Sequence, residues 1–154
     1  MRFAARAALE FKSQQAHECA GLVLLQNNEY HFRFVVVGGA TPMVRLERRA
    51  TPKPNPQLLP ILTGTETVLA ELPIDGQRFY LKVEADGQAY SFYVATDLKA
   101  WLPLAEDVDG RLLSTSYAGG FVGAYLGMYA SSNGQSSANT ADFDWFEYIG
   151  LDEH

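Results

Sequence analysis

The sequence predicts an all-β protein, an antiparallel β-sandwich of the jelly-roll kind, and three observations carry that prediction. Apolar and polar residues alternate with period two in segment after segment, as in RAALEFK and MVRLERR. Turn residues recur every 8–12 positions or so, bounding roughly nine or ten short strands. Amphipathic helical periodicity is nearly absent. A chain of 154 residues with 47% hydrophobic and 19% charged residues is sized for one domain around one core, so residues 1–154 are expected to form a single sandwich.

The elements follow in order. RAALEFK opens the chain as a strand. AGLVLLQ and EYHFRFVVV are β-rich runs separated by Asn27 and Asn28, amide residues that suit a hairpin turn. In MVRLERR, Val44 and Leu46 alternate with Arg45 and Glu47. The cluster Arg45, Arg48 and Arg49 reads as a solvated strand edge. TPKPNPQLLP holds four prolines in ten residues; proline donates no ladder hydrogen bond, so this is an irregular loop. ETVLAELPI leads to a turn at Asp75-Gly76. In RFYLKVEADGQAYSFYVAT one face is Phe79, Leu81, Val83 and Ala85, the turn is Asp86-Gly87, and the return face is Tyr90, Phe92 and Val94. DVDG reads as a turn. FVGAYLGMYAS and ADFDWFEYIG close the domain around the polar loop SNGQSSANT.

Several function classes are excluded or left without support. Net charge is −6 with scattered basic residues, so no nucleic-acid face is expected. No apolar stretch is long enough to span a membrane. MRFAARAALEF lacks the apolar run of a secretory signal, so the expected location of the chain as it stands is cytoplasmic or else unassigned. The strand-like start suggests part of something longer, or a compact version of it. The single Cys19 forbids an internal disulfide and reads as a buried thiol. His17, His31 and His154 lack zinc-ligand spacing, and no phosphate loop, dinucleotide fingerprint or serine elbow occurs. No cofactor is expected. Asp107 and Asp109 match half of a calcium loop and read instead as a hydrogen-bonded turn.

Carboxylate pairs matter because glycoside hydrolysis needs two. Asp142, Asp144 and Glu147 have the spacing D-x-D-x-x-E, which resembles the E-x-D-x-x-E strand motif of laminarinase-type glucanases over six residues only. In a regular strand Asp142 and Asp144 share a face and Glu147 points away, unless a bulge intervenes; Phe143 and Trp145 then face the core. Tyr125, Tyr129 and Tyr148 are also expected in the core rather than on a ligand platform.

The ordered set AGLVLL with NNEYHFRF, then GQRFYLKVEADGQAYSFYVATDLKAWLPLAEDVDGRLLST, then GGFVGAYLGMYASSNGQSSANTADFDWFEY resembles the C-terminal concanavalin-like β-sandwich of glycoside hydrolase family 43 β-xylosidases and α-L-arabinofuranosidases. The likeness runs from about Ala4 to Ile149. It implies that catalysis belongs to an N-terminal five-bladed propeller, in cis or in trans, and that this chain carries no catalytic carboxylate set. It further implies a sandwich that packs on the propeller and extends a loop towards its sugar pocket, in xylan breakdown. The position matching the pocket-closing aromatic is Phe121, preceded by Gly119 and Gly120, whose freedom suits a projecting loop; the other reading of Phe121 is a plug at the sandwich edge. Two other readings stand beside this one: a free-standing binding module for xylo- or arabino-oligosaccharides, and a small glucanase using Asp142, Asp144 and Glu147. An unpaired sheet edge could also favour a homo-oligomer.

Overall fold

The computed structural model describes residues 2–13, 15–27, 30–39, 41–50, 65–110, 125–135, 137 and 139–151. These residues contain ten strands and no helix: β1 (Arg2–Glu10), β2 (Cys19–Asn27), β3 (Tyr30–Val37), β4 (Met43–Ala50), β5 (Thr65–Pro73), β6 (Arg78–Asp86), β7 (Ala89–Ala95), β8 (Leu102–Asp109), β9 (Tyr125–Ser131) and β10 (Asp142–Gly150). They form two five-stranded sheets, ordered β10-β1-β6-β7-β8 and β5-β4-β3-β2-β9. All the pairings are antiparallel.

Period-two alternation supplies one apolar face per sheet, and the two faces meet. Phe3, Ala5, Ala7 and Leu9 of β1 lie beside Phe79, Leu81, Val83 and Phe92, facing Leu22, Leu24, Phe32, Phe34, Val44 and Leu46 of the other sheet. Each large side chain buried in this way contributes about 1.5–3 kcal/mol. Phe34 meets Phe92 edge to face at 5.3 Å between centroids, and Phe32 lies 6.4 Å from Tyr90. Gly21 is a close-approach position, since a Cβ there would stand 2.2 Å from the Phe34 carbonyl oxygen.

Register locates the connections at two ends. At the upper end lie the β1–β2, β3–β4, β5–β6, β7–β8 and β9–β10 connections. At the lower end lie the start of β1, the β6–β7 turn, the end of β8, the start of β9 and the end of β10. Leu151 donates its backbone N–H to the Arg2 carbonyl at 2.8 Å there.

Several expectations need correction. Asn27 ends β2, paired with Tyr30, rather than standing in the turn; Asn28 lies outside the described residues, as does the Pro-rich segment 51–60. Asp86 pairs with Ala89, so the tight turn is Gly87-Gln88, with φ +62 at Gly87, the residue type that first turn position favours. DVDG is not a turn: Asp107, Val108 and Asp109 complete β8. Asp107, at φ +53, forms a bulge opposite Ser91, whose hydroxyl accepts its N–H at 3.1 Å. β4 lies inside its sheet, so Arg45 and Arg49 are not an edge. They pair across to Glu71 at 3.1 Å and Glu66 at 3.3 Å on β5. Cys19 is buried as expected, 2% exposed.

Candidate functional site

The acidic triplet is brought onto one face by a bulge. Ala8 pairs with Trp145 and Leu9 with Phe143, so Asp144 is an extra residue in β10. The extra residue reverses the alternation. Phe143 packs against the core, while Trp145 and Glu147 turn to the solvent face that also carries Asp142. Trp145 therefore does not enter the core, contrary to the regular-strand expectation. Tyr125 and Tyr148 are also outside it, at 61% and 53% exposed. Tyr129 is half-buried under Arg33, whose guanidinium sits 5.8 Å from its ring centroid.

Geometry then assigns the acids a structural task. Asp144 accepts from Arg78 Nη2 at 2.7 Å and Glu147 from Arg6 Nη2 at 2.8 Å. Arg78 also reaches Glu10 at 3.2 Å. Asp144 and Glu147 are thus each held by an arginine, from β6 and β1 respectively, rather than standing free on opposite sides of a sugar bond.

The same solvent face of the β10-β1-β6-β7-β8 sheet carries aromatic rings that the sequence reading missed. Trp145 and Tyr80 lie 6.1 Å apart between centroids with ring planes 32° from parallel. Arg6 stands 5.7 Å from the Trp145 ring and Arg78 5.4 Å from that of Tyr80. Further along, the Lys82 ammonium sits 4.7 Å from Tyr93 and 4.6 Å from Trp101. One signal was available. Phe143 and Phe146 are three apart in a period-two strand, a spacing that one extra residue explains.

At the upper end the β9–β10 loop is fastened to the β1–β2 connection by side chains. Asn133 (φ +52) donates to the His17 carbonyl at 2.6 Å and accepts from Arg33 at 3.1 Å. Asn139 donates to the Lys12 carbonyl at 2.7 Å. The buried Glu18 carboxylate accepts from the Gln15 N–H at 2.8 Å and from the Ser137 hydroxyl. A cleft of about 190 Å³ lies beside it, lined by Phe11, Cys19, Ser131 and Asn139 among others. Burial pushes the Cys19 thiol above its ordinary 9.0, so this sulfur is packing rather than a nucleophile. Among the described residues no three His, Cys, Asp or Glu side chains converge as a metal site. Asp107 and Asp109 belong to the bulged end of β8.

Phe121, Gly119 and Gly120 lie outside the described residues. The residues that bracket them, Gly110 after β8 and Tyr125 opening β9, both stand at the lower end, on opposite sheets. Arg2 and Leu151 stand at that end too. There a polar cleft of about 360 Å³ is lined by Arg2, Asp86, Ser91, Asp107 and Leu151, among others.

Two packed antiparallel sheets of this order define the class of protein as a concanavalin A-like sandwich. Residues 1–149 match the family model for the β-xylosidase C-terminal concanavalin A-like domain, and the chain belongs to that family, the sandwich of glycoside hydrolase family 43. It is 34% identical over 144 residues to a xylosidase/arabinosidase of Butyrivibrio fibrisolvens, covering 94% of this chain and 26% of that protein. It is 33% identical over 149 residues to a non-reducing end α-L-arabinofuranosidase of Bacteroides ovatus, covering 96% and 26%. A solved structure of the family 43 protein BlXynB from Bacillus licheniformis superposes with a TM-score of 0.82 at 21% identity, over 96% of this chain and 27% of that one, a likeness of fold. The chain thus spans about a quarter of the length of the curated relatives it matches.

Proposed function

We propose that this sandwich is the accessory module of a family 43 glycosidase acting on xylosides or arabinosides. In this reading it packs by its lower end on a catalytic propeller domain and helps to wall that domain's sugar pocket. Phe121 is the wall residue, and Gly119 and Gly120 give the backbone ahead of it the freedom to project. One observation carries the reading: the residues bracketing this segment, Gly110 and Tyr125, lie at the same end as Arg2. A domain joined ahead of β1 would meet that end first. Such a wall acts by excluding water, which strengthens electrostatic interactions at the reacting centre. The carboxylates that break the glycosidic bond belong, in this reading, to the catalytic domain.

The test is a chimera in which this chain replaces the matching sandwich of the Butyrivibrio fibrisolvens relative, assayed on aryl xylosides and aryl arabinofuranosides. Phe121→Ala should lower kcat/KM by roughly tenfold, the cost of admitting water and loosening the sugar. Unchanged kinetics in a chimera that is itself active would remove Phe121 from the pocket.

A further inference from the structure

We propose that the solvent face of the β10-β1-β6 strands is a glycan-binding surface, with Trp145 and Tyr80 as its stacking platform and a neutral pyranose chain as its ligand. The argument begins with the bulge. Without the extra residue at Asp144, continued alternation would point Trp145 into the core; the bulge re-aims it outwards, and bulges do this characteristically beside functional sites. The strand between the two rings is equally particular. Ala8 points to the solvent face and pairs with Trp145 on one side and Tyr80 on the other, yet is 0% exposed. The flanking rings cover it. Their centroids lie 6.1 Å apart across Ala8 with planes 32° from parallel, the Arg6 guanidinium stands over the Trp145 ring, and Arg78 donates to the Tyr80 hydroxyl at 3.0 Å.

The rim suits hydroxyl groups. Arg6, Arg78, Glu10, Asp144 and Glu147 surround the rings with both donors and acceptors, already held in place by their mutual pairs. The C–H groups of a pyranose face are drawn to the negative face of an aromatic ring. Prepaid ordering of the rim side chains reduces the entropy lost on binding. Because three carboxylates outnumber the two arginines of this rim, the surface has no net pull on an anionic glycan. The ligand class is therefore a neutral sugar chain rather than a uronate or sulfated one.

The experiment is a tryptophan-fluorescence titration of the 154-residue chain with xylohexaose and, separately, with an oligogalacturonate. Xylohexaose should give a saturable change that persists in Trp101→Phe, which leaves Trp145 as the only tryptophan. Tyr80→Ala should weaken binding by at least about tenfold, as expected for loss of a central aromatic contact. Trp145→Ala should do the same, followed by calorimetry; should that variant not fold, as judged by its thermal melt, the Tyr80→Ala comparison decides. No saturable change with xylohexaose would overturn the proposal. So would full-strength binding in a folded Tyr80→Ala variant, or a preference for the oligogalacturonate. None of these readouts requires a catalytic domain, so failure here leaves the pocket-wall reading untouched.

Discussion

Arg33 on β3 and Glu47 on β4 face each other across the sheet, joined through Arg33 Nε to Glu47 Oε2 at 2.8 Å and again through Nη2. Their side chains are 13% and 12% exposed. The guanidinium also donates to the Tyr129 hydroxyl at 3.3 Å and to Asn133 Oδ1 at 3.1 Å, which ties β3 and β4 to β9 and to the loop after it. Removing Glu47 leaves the desolvated Arg33 charge facing the neutral Tyr129 and Asn133 oxygens in place of this carboxylate, whereas removing Arg33 leaves Glu47 with Arg45 at 3.5 Å. Glu47→Ala should therefore cost about 2–4 kcal/mol, read as a lowered midpoint in urea. The Arg33→Met, Glu47→Leu double variant should be less destabilised than either single removal.

Two glycines should respond in opposite ways to alanine. At Gly21 a Cβ would stand 2.2 Å from the Phe34 carbonyl oxygen and 2.8 Å from the Val35 Cα, backbone atoms of a central strand that have no room to yield. Gly21→Ala should destabilise the fold by about 3 kcal/mol. At Gly127, on edge strand β9, no atom lies within 4 Å of the added carbon. Gly127→Ala should be neutral or stabilise by about 0.5 kcal/mol, because alanine loses less chain entropy on folding. Paired denaturation curves check both.

Alkaline pH should weaken the fold. Burial raises the Cys19 thiol above its ordinary 9.0, and burial together with nearby Tyr148 raises the Tyr90 phenol above 10.0. Both groups are neutral when protonated, so the folded state holds its protons more tightly than the unfolded one. Their contribution is complete below pH 9 or so and is lost as pH rises through the folded values. The urea midpoint should fall progressively above that pH, and Cys19→Ala should remove the earlier part of the fall. A midpoint that stays flat to pH 11 would contradict this.

The glucanase reading predicts hydrolysis by the chain alone, and the geometry argues against it. Asp144 and Glu147 are each held by an arginine at 57% and 41% side-chain exposure. Asp144→Asn and Glu147→Gln should each change stability by less than about 1 kcal/mol. A reducing-sugar assay on β-glucan should show no turnover in the parent chain or in either variant.

Much of the fold was legible because period-two burial is a property of each strand by itself: Val44 and Leu46, or Phe79, Leu81 and Val83, reveal the core face with no knowledge of a partner. Bulges are different. Asp144 is extra only relative to β1, and Asp107 only relative to β7, so each depends on register with a strand distant in the sequence. This is why Trp145 was assigned to the wrong face and DVDG to a turn. The Trp145–Tyr80 surface was invisible for the same reason, since its two rings are neighbours only through Ala8. The family resemblance pointed to Phe121 through local motif order, whereas the arrangement of the acids needed three strands at once.

The hydrogen bond from Leu151 to Arg2 has a topological consequence. Where strand ends meet in this way, a few flexible residues could splice Leu151 to Arg2 and turn the polypeptide into a ring with the same two sheets. That ring could be cut open elsewhere, for instance at the exposed Gly87-Gln88 turn, giving a permuted sandwich whose new ends leave from the corner between β6 and β7. For the same reason the module could be spliced as a cassette into a loop of a host protein, needing only two adjacent points of attachment.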